Sequence, residues 1–337
     1  MAYFRQLEPK LSSFLEIMSR DEGWLILVNA DPDALASAMA LKRILSHRVK
    51  SAAIANVNEI SRPDNLAMIR YLRIPVKKLT PNLAAQYDRF ALVDSQPHHH
   101  PAFRDFSFSA VFDHHPLVEA EPVLADYKDI KPEYGANASL MTEYLYNLGI
   151  RPGKLLATAL LYGIKTDTNS FERGFCDVDV RAFRYLSKFS NQDMLRKIVR
   201  SEFLIEWLDY FSLAFRRLRM VRNGLHVWMG EVDSPDILVI LADFFLRVHE
   251  INWTCVGGQC EDRVVLIFRG DGLSRDVGRM AANLFGDLGS AGGHKAMARA
   301  EFARSAVKEK RPDWLVWRRL SRGRTEKKGN EEAGSGK

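Results

Sequence analysis

WLILVNADPDALASAMALKRIL, residues 24–45, changes character in the middle, and that change decides the fold. Its first part, WLILVNA, is an unbroken apolar run suited to a strand buried on both faces. DPDALASAMALKRIL then shifts to helical period, with apolar residues at Leu35, Met39, Leu41 and Ile44. The cycle repeats, SAAIANV reading as a strand and DNLAMIRYL as a helix. FALVDS (90–95) and SAVFD (109–113) are further short apolar runs, followed by helical patterns at ASLMTEYLYNLG and KLLATALLYGIKTDT. Alternation of this kind predicts an α/β protein whose parallel sheet carries helices on both faces.

From about 177 to 222 the pattern is nearly continuous helix, through DVDVRAFRYLSKF, NQDMLRKIV and EFLIEWLDYFSLAFRRLRMV. Beyond Gly224, strand signals at LHVWMGEV, ILVILADF, NWTCVGGQ and DRVVLIFRG, with a helix at SRDVGRMAANLF, predict a smaller mixed α/β unit. The expected organisation is a parallel-sheet domain at 1–190, a helical connector at 191–223, a second domain at 224–315 and a disordered tail at 316–337. The end of that tail, SRGRTEKKGNEEAGSGK, is too polar to bury a face.

The chain has 337 residues, 47% hydrophobic and 27% charged, enough to build a substantial core in a globular protein. The net charge of +6 is compatible with a polyanionic substrate but does not establish nucleic-acid binding. Three cysteines without a CxxC pair argue against a disulfide framework and fit a reducing cytoplasm. The start lacks a signal-peptide pattern, and no apolar run approaches the roughly 18–20 residues of a membrane span. The expectation is a cytoplasmic protein without a membrane partner. There is no Walker P-loop, no GxSxG elbow and no GxGxxG.

In an open parallel sheet, ligands bind beyond the carboxyl ends of the strands. Three apolar strands here run into acid: WLILVNA into Asp31 and Asp33, FALV into Asp94, and SAVF into Asp113. Asp167 ends the helical stretch ATALLYGIKT. Any one of these could simply cap a helix or open a turn. Together with His114 and His115 they form a set of hard oxygens and imidazoles suited to Mn²⁺ or Mg²⁺. Such a set fits two-metal phosphoester chemistry, with Asp94 the natural carboxylate to bridge two ions.

The order of these segments resembles the DHH phosphoesterase superfamily, which includes RecJ-like exonucleases and nanoRNase/pAp phosphatases. DPDALAS (31–37), LVDS (92–95), DHHP (113–116) and GIKTDTNSF (163–171) look like its four motifs, and EYGANASLMTEYL (133–145) like the segment between the last two. RGDGLSRDVGRMAANLFGDLGSAGGHKAMARAEF resembles the DHHA1 substrate domain with its glycine–histidine turn. The resemblance covers roughly residues 15–305.

It implies two Mn²⁺ ions (or Mg²⁺), with Asp31 and Asp94 on one and Asp33, Asp94, His114 and Asp167 on the other. It also implies that Asp113 orients a histidine, and that His115 lies by the phosphate as a donor or proton source. Gly292, Gly293 and His294 would touch substrate, and Arg269 would add charge. The implied activity is hydrolysis of short oligonucleotides or of 3′-phosphoadenosine 5′-phosphate, with water bridging the two ions as nucleophile. The alternatives are a soluble cyclic-dinucleotide phosphodiesterase and a weakened nucleotide-binding regulator. RecJ-type long-strand exonucleases carry further modules for which two compact domains leave no room. Dimerisation through the metal domain is also implied.

Leu27 departs from the pattern, because the family usually has a histidine there as a ligand to the first ion. GSAGGH also departs from an unbroken glycine run. Three readings complete the sequence. The HHH at 98–100 reads as a solvated loop, Cys255 and Cys260 as core or edge thiols, and EWLDYFSLAF as helix packing.

Overall fold

The computed structural model describes residues 3–201, 203–307 and 311–322. The chain divides into two compact units between Phe203 and Leu204.

The first unit is built on six strands: β1 (Gly23–Val28), β2 (Ser51–Asn56), β3 (Val76–Lys78), β4 (Arg89–Val93), β5 (Phe108–Asp113) and β6 (Ala125–Ile130). Their order is β3-β2-β1-β4-β5-β6 and every pairing is parallel. Its helices are α1 (Lys10–Glu16), α2 (Pro32–Leu45), α3 (Pro63–Leu72), α4 (Pro81–Ala84), α5 (Asn137–Asn147), α6 (Lys154–Asp167), α7 (Asp177–Leu186) and α8 (Gln192–Val199).

β1 is buried along its whole length, which is why its sequence is apolar without alternation. Trp24, Ile26 and Val28 pack in one cluster with α2, α5 and α6, whereas Leu25 and Leu27 pack in another with Leu92, Phe103 and Val111. The two clusters cover opposite faces of the sheet. Strand order reverses direction between β1 and β4, so a crevice is expected where their carboxyl ends diverge. The acids after β1 and after β4 flank that switch point.

The second unit contains α9 (Trp207–Arg217), β7 (Arg219–Val221), β8 (Gly224–Glu231), α10 (Asp236–Leu246), β9 (Trp253–Cys260), β10 (Arg263–Gly270), α11 (Val277–Phe285), β11 (Ser290–Gly293), β12 (Met297–Ala303) and α12 (Pro312–Arg322). Its sheet runs β11-β12-β10-β9-β8-β7 and is mixed, with β8 and β9 parallel and the other pairs antiparallel. One cluster joins the sheet to α9 and α10, and a second joins it to α11 and α12.

Three local expectations are corrected. ILVILADF lies in helix α10, whose buried Ile237, Leu238, Leu241, Ala242 and Phe245 follow helical spacing; burial against the sheet overrides β-branched propensity. The helix expected to run to 222 ends at Arg217, Leu218 turns extended, and 219–221 become edge strand β7. Residues 316–322, expected to begin a disordered tail, continue α12, because Leu315, Val316 and Leu320 bury an apolar stripe. Residues 323–337, the rest of that expected tail, lie outside the described residues. The segment expected to be a connector contributes α8 to the first unit and α9 to the second. Among the described residues no helix is long and apolar enough to cross a membrane.

Candidate metal centre

Each candidate side chain is set by a local reason. Asp31 follows β1 and caps α2, its Oδ1 accepting from the Ala34 amide at 2.8 Å. Asp33 sits in the first turn of α2 and reaches across to α5. Its Oδ2 accepts from the Asn137 amide at 2.6 Å and its Oδ1 from the Ala138 amide at 2.8 Å, placing negative charge on that helix N-terminus. Gly163 of α6 permits this approach, since a Cβ there would stand 2.9 Å from Asp33 Oδ1. That explains the glycine in GIKTDT.

Asp94 ends β4 in the left-handed region, with φ 57°, while its amide still donates to Phe112 at 2.8 Å. A non-glycine residue held there is strained, and such strain gathers at functional sites. Asp167 is the last residue of α6, and just beyond it Asn169, Ser170 and Phe171 all lie at positive φ.

His114 is where the four motifs meet. Its Nε2 lies 2.9 Å from Asp167 Oδ2, 3.3 Å from Asp94 Oδ1 and 4.0 Å from Asp33 Oδ2. Its Nδ1 lies 3.1 Å from the Tyr134 carbonyl, and a carbonyl only accepts, so Nδ1 carries a proton. Nε2 therefore holds either the second proton of a cation or a lone pair. Burial disfavours the cation, but the contacts with Asp167 and Asp94 outweigh burial and push the ring up to about 12.

The acids are shifted upward as well, which in their case disfavours the charged form. Burial first and Asp167 second raise Asp31 to about 6, and the same two causes hold Asp33 well above the carboxylate range. Asp94 is held high by burial and then by Asp33. Such a cluster lacks positive charge.

The donors suit a small divalent cation. Around an ion with bonds of about 2.0–2.1 Å, adjacent ligands stand about 3 Å apart and opposite ones about 4.2 Å. The separations from His114 Nε2, 2.9, 3.3 and 4.0 Å, fall on those spacings. His114 Nε2 and Asp94 Oδ1 are also buried without a well-formed hydrogen bond. Asp33, His114 and Asp167 form one potential ligand group, and Asp94, His114 and His115 another.

The other ion implied by the resemblance is served more thinly. Asp31 and Asp94 remain for it, while Leu27 lies fully buried among apolar side chains and Asn29 is exposed.

Asp113 and His115 form a separate pair. His115 Nδ1 lies 2.8 Å from Asp113 Oδ1, and Gln96 Nε2 donates to Asp113 Oδ2 at 2.8 Å. Burial would raise Asp113, but the hydrogen bonds from His115 and Gln96 outweigh it and hold the acid below its ordinary value. The His99 ring stands 5.2 Å from that of His115, its Nδ1 accepting from the Gln96 amide at 3.1 Å. His99, Asp113 and His115 make a third potential ligand group. Within the HHH tract, His99 is thus a neighbour of the centre, which its loop composition did not reveal.

The remaining candidates lie in the second unit. Gly292 and Gly293 end strand β11, and the His294 amide donates to Met297 at 2.7 Å to close the reversal into β12. A Cβ on Gly293 would stand 2.4 Å from the Met297 carbonyl, so this reversal requires glycine. His294 is exposed. Arg269 is engaged inside the unit, its Nε donating to Asp243 Oδ1 at 2.7 Å.

These features define a two-unit α/β protein with an aspartate–histidine centre at the carboxyl edge of its parallel sheet. An uncharacterized protein of Methanocaldococcus jannaschii is 32% identical over 275 residues, covering 81% of this chain and 56% of that protein. The chain thus spans about half the length of the curated relative it matches. No family model matches it. An exopolyphosphatase-related protein from Bacteroides fragilis shares the fold, with a TM-score of 0.73, 15% identity and coverage of 95% of this chain and 98% of that one. A pGpG-specific phosphodiesterase from Vibrio cholerae aligns with a TM-score of 0.41, 11% identity and coverage of 89% and 98%. At 15% identity the likeness to the Bacteroides fragilis protein is one of fold. Fold and motif order agree with the resemblance to the DHH phosphoesterases.

Proposed function

We propose that the chain is a metal-dependent phosphoesterase of the DHH superfamily. Its proposed substrates are short oligonucleotides, 3′-phosphoadenosine 5′-phosphate, or both. The observation that carries this reading is the convergence of three acids from three motifs on His114 Nε2. Asp33, Asp94, His114 and Asp167 would hold one ion, and Asp31 and Asp94 a second, with Mn²⁺ the favoured metal. When bound, such ions supply Lewis acidity to the phosphate and lower the pKa of water toward neutrality.

The chain's own residues do the rest. Asp33 and His114 are fixed through the backbone around α5, so the ligands are positioned before any ion arrives. His115 has its Nδ1 proton held by Asp113, which leaves Nε2 to donate to a phosphate oxygen or to protonate the departing oxygen. Asp113, held below its ordinary value, keeps the Nδ1 proton on the ring and fixes its orientation. Gly293 and His294 are the residues of the second unit proposed to touch substrate.

Leu27 favours a second reading, a nucleotide-binding protein of weakened activity, because an apolar residue stands where the first ion would take an imidazole. Hydrolysis of the dinucleotide pApA and of 3′-phosphoadenosine 5′-phosphate with Mn²⁺, beside an Asp94→Ala control, separates the two. Turnover that depends on Mn²⁺ and on Asp94 supports the enzyme. Nucleotide binding with no such turnover overturns it.

A further inference from the structure

The second unit holds a cavity of about 490 Å³ at its β7–β8 edge, away from the glycine–histidine reversal. Arg216, Arg217, Arg219, Arg311, His226 and Trp228 are among its lining residues. The four arginines face one lining acid, Asp313, which Arg311 Nη2 meets at 2.6 Å. Arg217 is pinned by its own hydrogen bond to the Met229 carbonyl at 2.9 Å, and Arg219 lies over the Trp317 ring at 5.1 Å. Held guanidinium groups around an open cavity suit the phosphates of a polyanion.

His226 narrows the chemistry. It is 2% exposed, stacks on Trp317, and its Nδ1 lies 3.0 Å from the Cys255 carbonyl. The proton is therefore on Nδ1, and Nε2 has no partner among the described residues. In the neutral ring, favoured by burial, Nε2 can only accept. A ligand that satisfies this wall brings anionic groups to the arginines and a hydroxyl or amine donor to the imidazole.

The sheet register supplies a ruler. Arg219, His226, Cys255, Phe268, Ala298 and Gly293 are successive partners in one row across all six strands. Five strand spacings of about 4.8 Å put the two ends about 24 Å apart. At about 3.4 Å per stacked nucleotide this is roughly seven nucleotides, so a dinucleotide at the reversal does not reach the cavity.

We propose that this cavity is a second binding site, for single-stranded RNA, with phosphates on Arg216, Arg219 and Arg311 and a ribose 2′-hydroxyl donating to His226 Nε2. It extends the nucleotide reading above, on which it rests, from dinucleotides to longer RNA. The 2′-hydroxyl is the group that separates RNA from DNA at such a contact.

Fluorescence anisotropy with a labelled adenylate octamer, as RNA and as DNA, tests this on the full chain in chelator, where the probe is not cut. RNA should bind more tightly than DNA. Arg219→Gln should weaken RNA binding on the order of tenfold and reduce the slope of log K against log salt by about 0.7. His226→Phe should bring RNA down to the DNA value, with its melting curve checking the fold; Arg311→Gln, on the exposed rim, repeats the charge test without touching the core.

Equal RNA and DNA binding by the unaltered chain, or no change of slope in both arginine variants, overturns the proposal. So does displacement of the octamer by inorganic phosphate at equal concentration. RNA binding here without any phosphoester hydrolysis would leave this site standing and remove the enzyme reading. Hydrolysis of pApA with octamer binding insensitive to these variants would do the reverse.

Discussion

Asp33 and Asp94 would both hold metal, yet the structure gives them opposite effects on the metal-free protein. Asp33 accepts two backbone amides at the start of α5, at 2.6 and 2.8 Å. In Asp33→Asn an amide group replaces one of those oxygens and faces an N–H. The loss is one charge-assisted hydrogen bond, about 1.5–3 kcal/mol, plus about 0.3–1 kcal/mol of helix-end electrostatics. Removing a buried charge crowded by Asp167 returns part of this, so a net destabilisation of about 2 kcal/mol is expected. Asp94 has no well-formed hydrogen bond at Oδ1 and is crowded by Asp33 and Asp31. Asp94→Asn removes that charge at nearly constant shape and should stabilise the chelator-treated protein by about 1 kcal/mol, burial and the like charges of Asp33 and Asp31 outweighing the contact with His114. Urea unfolding at pH 7.5, followed by circular dichroism, measures both. With Mn²⁺ at a hundred times its Kd, the unaltered protein should gain about 2.7 kcal/mol and Asp94→Asn little. If Asp94→Asn in chelator is destabilised as much as Asp33→Asn, the division into anchored and unanchored acids is wrong.

Leu27→His places an imidazole among Leu25, Ala55 and Leu92; it should cost about 1–3 kcal/mol in chelator and tighten Mn²⁺ binding at least about tenfold, read by titration calorimetry. An unchanged Mn²⁺ affinity would show that position 27 does not govern the first ion. Gly293→Ala drives a methyl against the Met297 carbonyl at a backbone φ of 145° and should cost about 2–3 kcal/mol, seen as a lower melting temperature. His226 has its pKa lowered by burial from 6.5 to about 4, so only the unfolded chain takes up its proton between those values. Its stabilisation is full above about 6.5 and falls by about 3 kcal/mol as pH drops to about 4. His226→Phe should flatten that part of the pH–stability curve; an unchanged curve would show that the ring titrates freely.

The central strands were legible because strands buried on both faces are written as continuous apolar runs, as WLILV and SAVF are. β3 and β6 were not, and both are sheet edges: VKK is short and lysine-rich, and ADYKDI alternates in burial. ILVILADF misled because a wholly apolar run fits a buried helix as well as a strand. In the candidate centre, the strand-end acids and His114 could be singled out because their side chains carry the chemistry. Tyr134, Asn137 and Ala138 contribute through the backbone, to which side-chain identity is silent. Gln96 and His99 are brought to His115 by a loop whose course no periodicity reports.

Residues 134–138 join two ligands that are far apart in the chain. The Tyr134 carbonyl steers His114, the Asn137 and Ala138 amides grip Asp33, and the Gly135 amide between them is tied to Asp179 at the start of α7 at 2.9 Å. A displacement of α7 would therefore turn an imidazole and a carboxylate together, retuning the cation's surroundings from outside without replacing a single donor.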